Sequence, residues 1–245
     1  LLGPEYSDDE IRKVLETRGA VFQRMKSPNE LCEAVAERLD RQHVVGWFQG
    51  RMEFGPRALG GRSILGDARS AEMQSRMNLK IKFRESFRPF APIVLREYAN
   101  EYFELPPDVE SPYMLLVAKV AERTRLPDDP AAQILKGIDR LKAARSTIPA
   151  VTHVDLSARV QTVDTVRFPL LHQLMTAFHA RTGCAVLINT SFNVRGEPVV
   201  CTPENALNGF LNTGMDTLAI GAFLLEKTRQ PRDLIGSEAR QFEPD

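Results

Sequence analysis

The sequence predicts an α/β domain built on a mixed sheet, and three observations carry that expectation. Apolar stretches of strand length alternate with segments of helical periodicity. Adjacent pairs of strand candidates point to a mixed rather than a purely parallel sheet. A chain of 245 residues, 43% of them hydrophobic, can bury a substantial core in one domain without requiring two.

Taken in order, Ser7-Asp8-Asp9-Glu10 has the form of a capping box, and Ile11, Val14 and Leu15 keep helical spacing behind it, so a first helix is expected over about 8–18. Ser27-Pro28-Asn29-Glu30 repeats the signal with proline at the first helical position. Leu31, Val35 and Leu39 then line one face of a second helix, over about 28–41. His43 to Phe48 reads as a buried strand. Between Gly50 and Gly66, five glycines and Pro56 call for sharp turns or close backbone approach. Ser70 to Leu79 suits a helix, Ile81 to Arg84 an extended stretch, and Ala91 to Leu95 and Tyr113 to Val120 two strands.

Glu122 to Ser146 is strongly polar and is expected to leave the core, with a weakly amphipathic helix at Ala131 to Leu141. Ile148 to His153 and Ala158 to Val163 are strand candidates joined by a turn at Asp155 to Ser157. Pro169 opens a helix striped by Leu170, Leu171, Leu174 and Phe178, with Gly183 where a left-handed cap belongs. Cys184 to Ile188 follows as a strand, Thr202-Pro203 caps a helix to about Leu211, and Thr217 to Leu225 closes as a strand. The last twenty residues are charged and aperiodic, expected to wrap the surface or fray.

Lys plus Arg number 32 and Asp plus Glu number 32, so a global polycation that coats nucleic acid or anionic membrane is excluded. No apolar run approaches the roughly 20 residues of a spanning helix. The first ten residues lack a signal-peptide layout, so a cytoplasmic location is expected. Three widely spaced cysteines make neither a disulfide framework nor a zinc knuckle. The chain opens Leu1-Leu2-Gly3 without methionine, and an excised part of a larger protein is expected.

The neutral total hides a basic block. Ten cations between Arg51 and Arg96 face four acids, a local excess of six. Within it, Gly55-Pro56-Arg57-Ala58-Leu59-Gly60-Gly61-Arg62 combines permissive glycines with two guanidiniums, a pattern in which backbone amides and planar forks meet an oxyanion. The same spacing also fits a structural turn carrying surface arginines. Lys82-Phe83-Arg84, if extended, puts two cations on one face, as an anion site or a solvated edge strand would. Asn189-Thr190-Ser191-Phe192-Asn193-Val194-Arg195 follows a buried strand, where α/β sheets gather ligands and where Asx and hydroxyl turns are also ordinary. Arg159 and Gln161 share one face of a strand, and a buried Arg159 would need an anionic partner. No Walker loop, GxSxG elbow or metal-ligand cluster is apparent.

Met52 to Gly60 (MEFGPRALG), Lys82 to Pro92 (KFRESFRPFAP), His153 to Val163 (HVDLSARVQTV) and Asn189 to Pro198 (NTSFNVRGEP) resemble the C-terminal domain of the NodU/CmcH-type O-carbamoyltransferases. The resemblance implies a YrdC-like mixed twisted sheet with flanking helices over 43–226, preceded by a helical lead-in over 1–42 and followed by a tail over 227–245. It implies an adenylate-forming domain that makes carbamoyladenylate from carbamoyl phosphate and ATP with Mg2+. Transfer to the hydroxyl of a small-molecule acceptor would fall to a metal-containing N-terminal domain of the same polypeptide. The KxR and SxN signatures of YrdC-like proteins fall on Lys82/Arg84 and Ser191/Asn193. Motif matching assigns Arg57, Lys82 and Arg88 to catalysis, and Arg62, Arg84, Arg159, Asn189, Ser191, Asn193 and Arg195 to substrate and nucleotide binding, with no protein metal ligand. Gly61 and Leu156-Ser157 depart from the commoner Asn and Gly-Thr. No side-chain nucleophile is required, because joining two polyanions needs fixed cations above all.

Two other expectations stand beside this one. A basic face that binds RNA predicts affinity falling steeply with salt. It is disfavoured by an aromatic content of 7%, with few aromatics among the cations to stack on bases. A non-catalytic accessory domain would dock on its partner through an exposed apolar surface. A second copy of the chain is carried as a further partner.

Overall fold

The computed structural model describes residues 1–106, 108–127 and 143–236. Among the described residues nine strands are found, β1 (Gln23–Arg24), β2 (Val45–Phe48), β3 (Arg62–Asp67), β4 (Ala91–Leu95), β5 (Leu116–Lys119), β6 (Ser157–Val163), β7 (Val186–Ser191), β8 (Thr217–Ile220) and β9 (Phe223–Glu226). They form one sheet in the order β1-β9-β8-β2-β3-β7-β4-β6-β5. β2 runs parallel to β8 and β4 parallel to β6, while the other neighbours are antiparallel. The expected α/β class, a mixed sheet with flanking helices, is the one found.

The helices begin where their caps dictate. In α1 (Asp8–Thr17) the Ser7 hydroxyl accepts the Glu10 N–H and the Glu10 carboxylate accepts the Ser7 N–H, closing the box. Ser27 caps α2 (Pro28–Asp40), whose proline occupies a position that needs no amide donor. Then come α3 (Met73–Met77), α4 (Ala99–Tyr102), α5 (Pro169–Thr182) and α6 (Pro203–Leu211). Gly183 ends α5 at φ 72°, and Thr202 with Asn205 closes a second capping box on α6. α2 packs on α5 and α1 on α6. Through α1, β1 and α2, residues 8–40 join the sheet and its flanking layers.

Four readings are corrected. First, residues 62–67 form the central strand β3, wholly buried, inside the stretch expected to turn sharply or to approach another segment closely, where no strand is expected. Gly66 there serves close packing, since a Cβ would meet the Met77 sulfur at 2.8 Å. Second, Ile81 to Arg84 is not extended. Asn78–Lys82 is a π turn continuing α3, and Phe83 sits in the left-handed region at φ 49°. The chain winds around Asn78, whose carbonyl accepts the Arg84 N–H and whose buried amide donates to the Ser86 and Arg88 carbonyls. Third, Ile148 to His153 holds a 3-10 turn at Pro149–Val151, and β6 pairs with β4 and β5 instead. Fourth, Thr217 to Leu225 is a hairpin turning at Gly221, φ 52°, and Ala222. The helix expected at Ala131 to Leu141 lies outside the described residues. Among the described residues, no helix is long and apolar enough to cross a membrane.

Candidate functional site

The loop from Met52 to Gly61 is held by a side chain that no motif singles out. Glu53 is buried, and its carboxylate accepts the N–H groups of Leu59 and Gly61 at 2.7 Å and of Arg62 at 3.1 Å. The Ser63 hydroxyl accepts the Gly60 N–H. These amides are therefore already partnered, and the expectation that the glycine-rich backbone cradles an oxyanion is corrected for residues 59–62. The carbonyls are tied down as well: Asn189 Nδ2 donates to Ala58, Gln161 Nε2 to Leu59 and Trp47 Nε1 to Gly60. Gly60 is required at φ 107°, with a Cβ position 2.4 Å from Leu171. Outward the loop presents Phe54 and the exposed Arg57 side chain.

Arg57 lines a cleft of about 170 Å³ with Arg84 and Arg159, walled by Asn189, Ser191, Pro56, Phe90 and Met114. Among the described residues no carboxylate lines it. Burial, and secondarily Arg57, lowers the Arg159 pKa, and the Arg159 Nε is buried without a hydrogen-bond partner. Arg84 donates to Asn78 Oδ1 at 2.6 Å and stacks its guanidinium 4.8 Å from the Phe90 centroid. Burial, and secondarily Arg88, pushes its pKa down to about 10. Three guanidiniums converging on one cleft suit a polyanion. A second hollow of about 520 Å³ lies among Phe83, the loop Val194–Val200 and α6, where Asn205, Asn208 and Asn212 face it.

Lys82 meets the SxN segment from more than a hundred residues away. Its ammonium donates to the Ser191 carbonyl at 2.5 Å, Asn193 Oδ1 at 2.8 Å, the Asn193 carbonyl at 3.0 Å and the Ser191 hydroxyl at 3.3 Å. Ser191 in turn donates to Asn193 Oδ1 at 2.6 Å. Lys82 is 6% exposed, and burial, with Arg84 beside it, pushes its pKa down to about 7. The ammonium is thus surrounded by protein oxygens and does not line the arginine cleft.

Other expected site residues are distributed differently. Arg62 is fully buried and is corrected from ligand contact to structure. Its guanidinium donates to the carbonyls of Pro4, Gln49, Gly50 and Gly61 and lies 3.6 Å from the Phe48 centroid. Arg88 is exposed near Glu85, at 3.9 Å, and does not line the cleft, though its charge reaches Arg84. Asn189 walls the cleft while its buried Oδ1 has no hydrogen-bond partner. Arg195 is half-buried on the loop beyond β7, outside the cleft lining. The basic block does not form one groove, because much of its charge is spent on internal ion pairs: Arg69 with Asp67 and Asp40, Arg76 with Asp216, and Arg96 with Glu110.

The two departures from the commoner family residues have local consequences. Leu156 occupies the left-handed region at φ 61°, where glycine is at ease. At Gly61 a Cβ would stand 2.6 Å from the Arg51 carbonyl.

Comparison with known proteins adds the following. Residues 36–227 match the family described as carbamoyltransferase C-terminus. An uncharacterized protein of Synechocystis is 56% identical over 94% of this chain and 37% of its own length. The nodulation protein NolO of Bradyrhizobium diazoefficiens is 37% identical over 92% of this chain and 38% of its own length. The 3'-hydroxymethylcephem-O-carbamoyltransferase of Amycolatopsis lactamdurans is 38% identical over 73% of this chain and 29% of its own length. The chain thus spans well under half the length of these relatives. Among solved structures, full-length HypF in its phosphate- and nucleotide-bound form matches 84% of this chain and 22% of its own, with a TM-score of 0.50 at 18% identity, a likeness of fold.

Proposed function

The chain belongs to the carbamoyltransferase C-terminal family, and from that premise we propose that it forms carbamoyladenylate from carbamoyl phosphate and ATP. The cleft of Arg57, Arg84 and Arg159, free of carboxylates and with one buried guanidinium nitrogen unpartnered, is the observation that carries this reading. Balance requires one water: carbamoyl phosphate and water give carbamate and phosphate. A carbamate oxygen then attacks the α-phosphorus of ATP, and pyrophosphate leaves.

Every species in this sequence is anionic. The rate therefore depends on cations that are fixed before the reactants arrive and that stabilise charge growing on the phosphorus oxygens. Arg57 and Arg159 face each other closely enough to interact electrostatically and would clamp the phosphoryl group of carbamoyl phosphate. Arg84, braced by Asn78 and Phe90, would sit on the α-phosphate or the departing pyrophosphate. Arg88 adds positive potential from outside the lining. Ser191 and Asn193, fixed by Lys82, would orient the adenylate, and the larger hollow beyond Asn193 offers room for the nucleoside. Mg2+ belongs to the ATP substrate, bound by phosphate oxygens and water. Among the described residues no group of three or more His, Cys, Asp or Glu is arranged to hold a metal ion. Transfer of the carbamoyl group to a hydroxyl acceptor would fall to the part of the longer relatives that this chain does not match.

The test is carbamoyl-phosphate-dependent exchange of labelled pyrophosphate into ATP by the chain with Mg2+. Exchange is expected, with a loss of roughly a hundredfold or more in Arg159→Ala. A folded chain that neither exchanges pyrophosphate nor binds ATP would overturn the reading.

A further inference from the structure

Lys82 is a buried cation without an anion. Among the described residues it has no ion pair, and the charged group acting on it is Arg84, two positions along its own turn and of the same sign. Among the described residues its hydrogen-bond partners are the neutral Ser191 and Asn193 at the end of β7 and just beyond, on a segment that also carries Arg195 and Glu197, the latter accepting the Asn193 side-chain amide through its carbonyl. Four oxygens within 3.3 Å suit an ammonium with three donors better than a neutral amine with two, whose lone pair would face an oxygen. Burial without a counter-charge pulls the other way. The four oxygens therefore favour the charged form, while burial and the neighbouring Arg84 favour the neutral one and push the pKa down to about 7.

The balance is open to the cleft. Ser191 both walls the arginine cleft and accepts from the Lys82 ammonium, and Arg84 lines the same cleft. A dianion there would supply the missing counter-charge and offset the repulsion from Arg84. We propose that anion binding in the arginine cleft is accompanied by protonation of Lys82, which makes this lysine a positioning residue that holds the Ser191–Asn193 turn more firmly when the cleft is occupied. The inference rests on reading the cleft as an anion site. Occupancy then sets the turn through a proton taken from solvent, and empty protein holds the turn more loosely as pH rises. His153 is a second titratable group in the neighbourhood, its pKa lowered by burial, with Asp155 opposing and Arg159 adding to the shift.

The test uses the whole chain labelled with 13C at lysine Cε, with sulfate as the probe, a dianion that does not titrate near neutrality. The Lys82 signal, assigned by its loss in Lys82→Arg, is followed from about pH 6 to about pH 9, free and sulfate-saturated, alongside sulfate affinity. Sulfate is expected to move the Lys82 midpoint upward by about one pH unit or more, and sulfate affinity to fall by up to about tenfold per pH unit above neutrality, the linkage of one proton. His153→Gln keeps that dependence, and Lys82→Arg loses it because a guanidinium does not titrate there. If the variant does not fold, the wild-type titration still decides, since a lysine midpoint near neutrality is distinguishable from ordinary lysines. Sulfate bound with the Lys82 midpoint unmoved overturns the linkage and leaves the anion cleft standing. Sulfate that does not bind at all overturns both.

Discussion

Asn189 on β7 donates its side-chain amide to Gln161 on β6 at 2.9 Å, reaching across the intervening strand β4. The two strands are spanned where Ala91 pairs with Asn189 and Ile93 with Gln161. Both amides also hold the Arg57 loop, through the Ala58 and Leu59 carbonyls. The position of an exposed arginine is thus set by two buried amides on different strands.

Gln161→Leu should therefore act on both stability and binding. It strips a partner from the Leu59 carbonyl and from Asn189, and a loss of about 1–3 kcal/mol is expected in urea unfolding. The folded variant should also bind carbamoyl phosphate more weakly by calorimetry, because Arg57 is no longer held in place.

Arg62 and Arg159, both expected at the sequence level to meet ligand, should separate cleanly. Arg62→Leu orphans several buried carbonyls and removes the ring contact, so denaturation should show a loss of about 3 kcal/mol or more. Arg159→Leu removes a repelled guanidinium whose Nε is unpartnered, and should change stability by no more than about 1 kcal/mol while abolishing anion binding.

The lowered Lys82 pKa fixes the sign of one pH effect. Between about 7 and the ordinary lysine value of 10.5, the unfolded chain holds a proton at this position that the folded chain has released. The unfolded state binds more protons, so the Lys82 contribution makes stability rise with pH across that window, and below it the full penalty for the buried charge applies. Chemical unfolding measured from pH 7 to pH 10 should show a smaller positive pH slope in Lys82→Met than in the natural chain.

Leu156→Gly should stabilise the folded chain. Relief of the left-handed conformation at φ 61° outweighs the added freedom of the unfolded chain, and a gain of up to about 1 kcal/mol is expected from thermal unfolding.

Much of the fold could be read locally. The caps at Ser7, Ser27 and Thr202 and the Gly183 stop are chemistry within four residues of a helix end. β3 was hidden because Gly66 carries the same letter whether it turns the chain or lets a methionine approach. The π turn at Asn78–Lys82 depends on an amide reaching forward to Ser86 and Arg88, which no periodicity signals. For the site, Lys82 of the KxR motif donates to Ser191 and Asn193 of the SxN motif, contacts across more than a hundred positions that no local pattern signals. The fate of each arginine was not readable, because their partners are remote. Arg76 finds Asp216, 140 positions away, and Arg62 finds backbone carbonyls that any sequence would carry. A local excess of cations therefore overstates the charge left for a ligand.

The most direct measurement is a crystal structure of the chain soaked with carbamoyl phosphate and ATP. The account predicts phosphoryl oxygens within hydrogen-bond distance of the Arg57, Arg84 and Arg159 guanidiniums, with Ser191 against the nucleotide. Ordered ligands bound away from all three guanidiniums would contradict it.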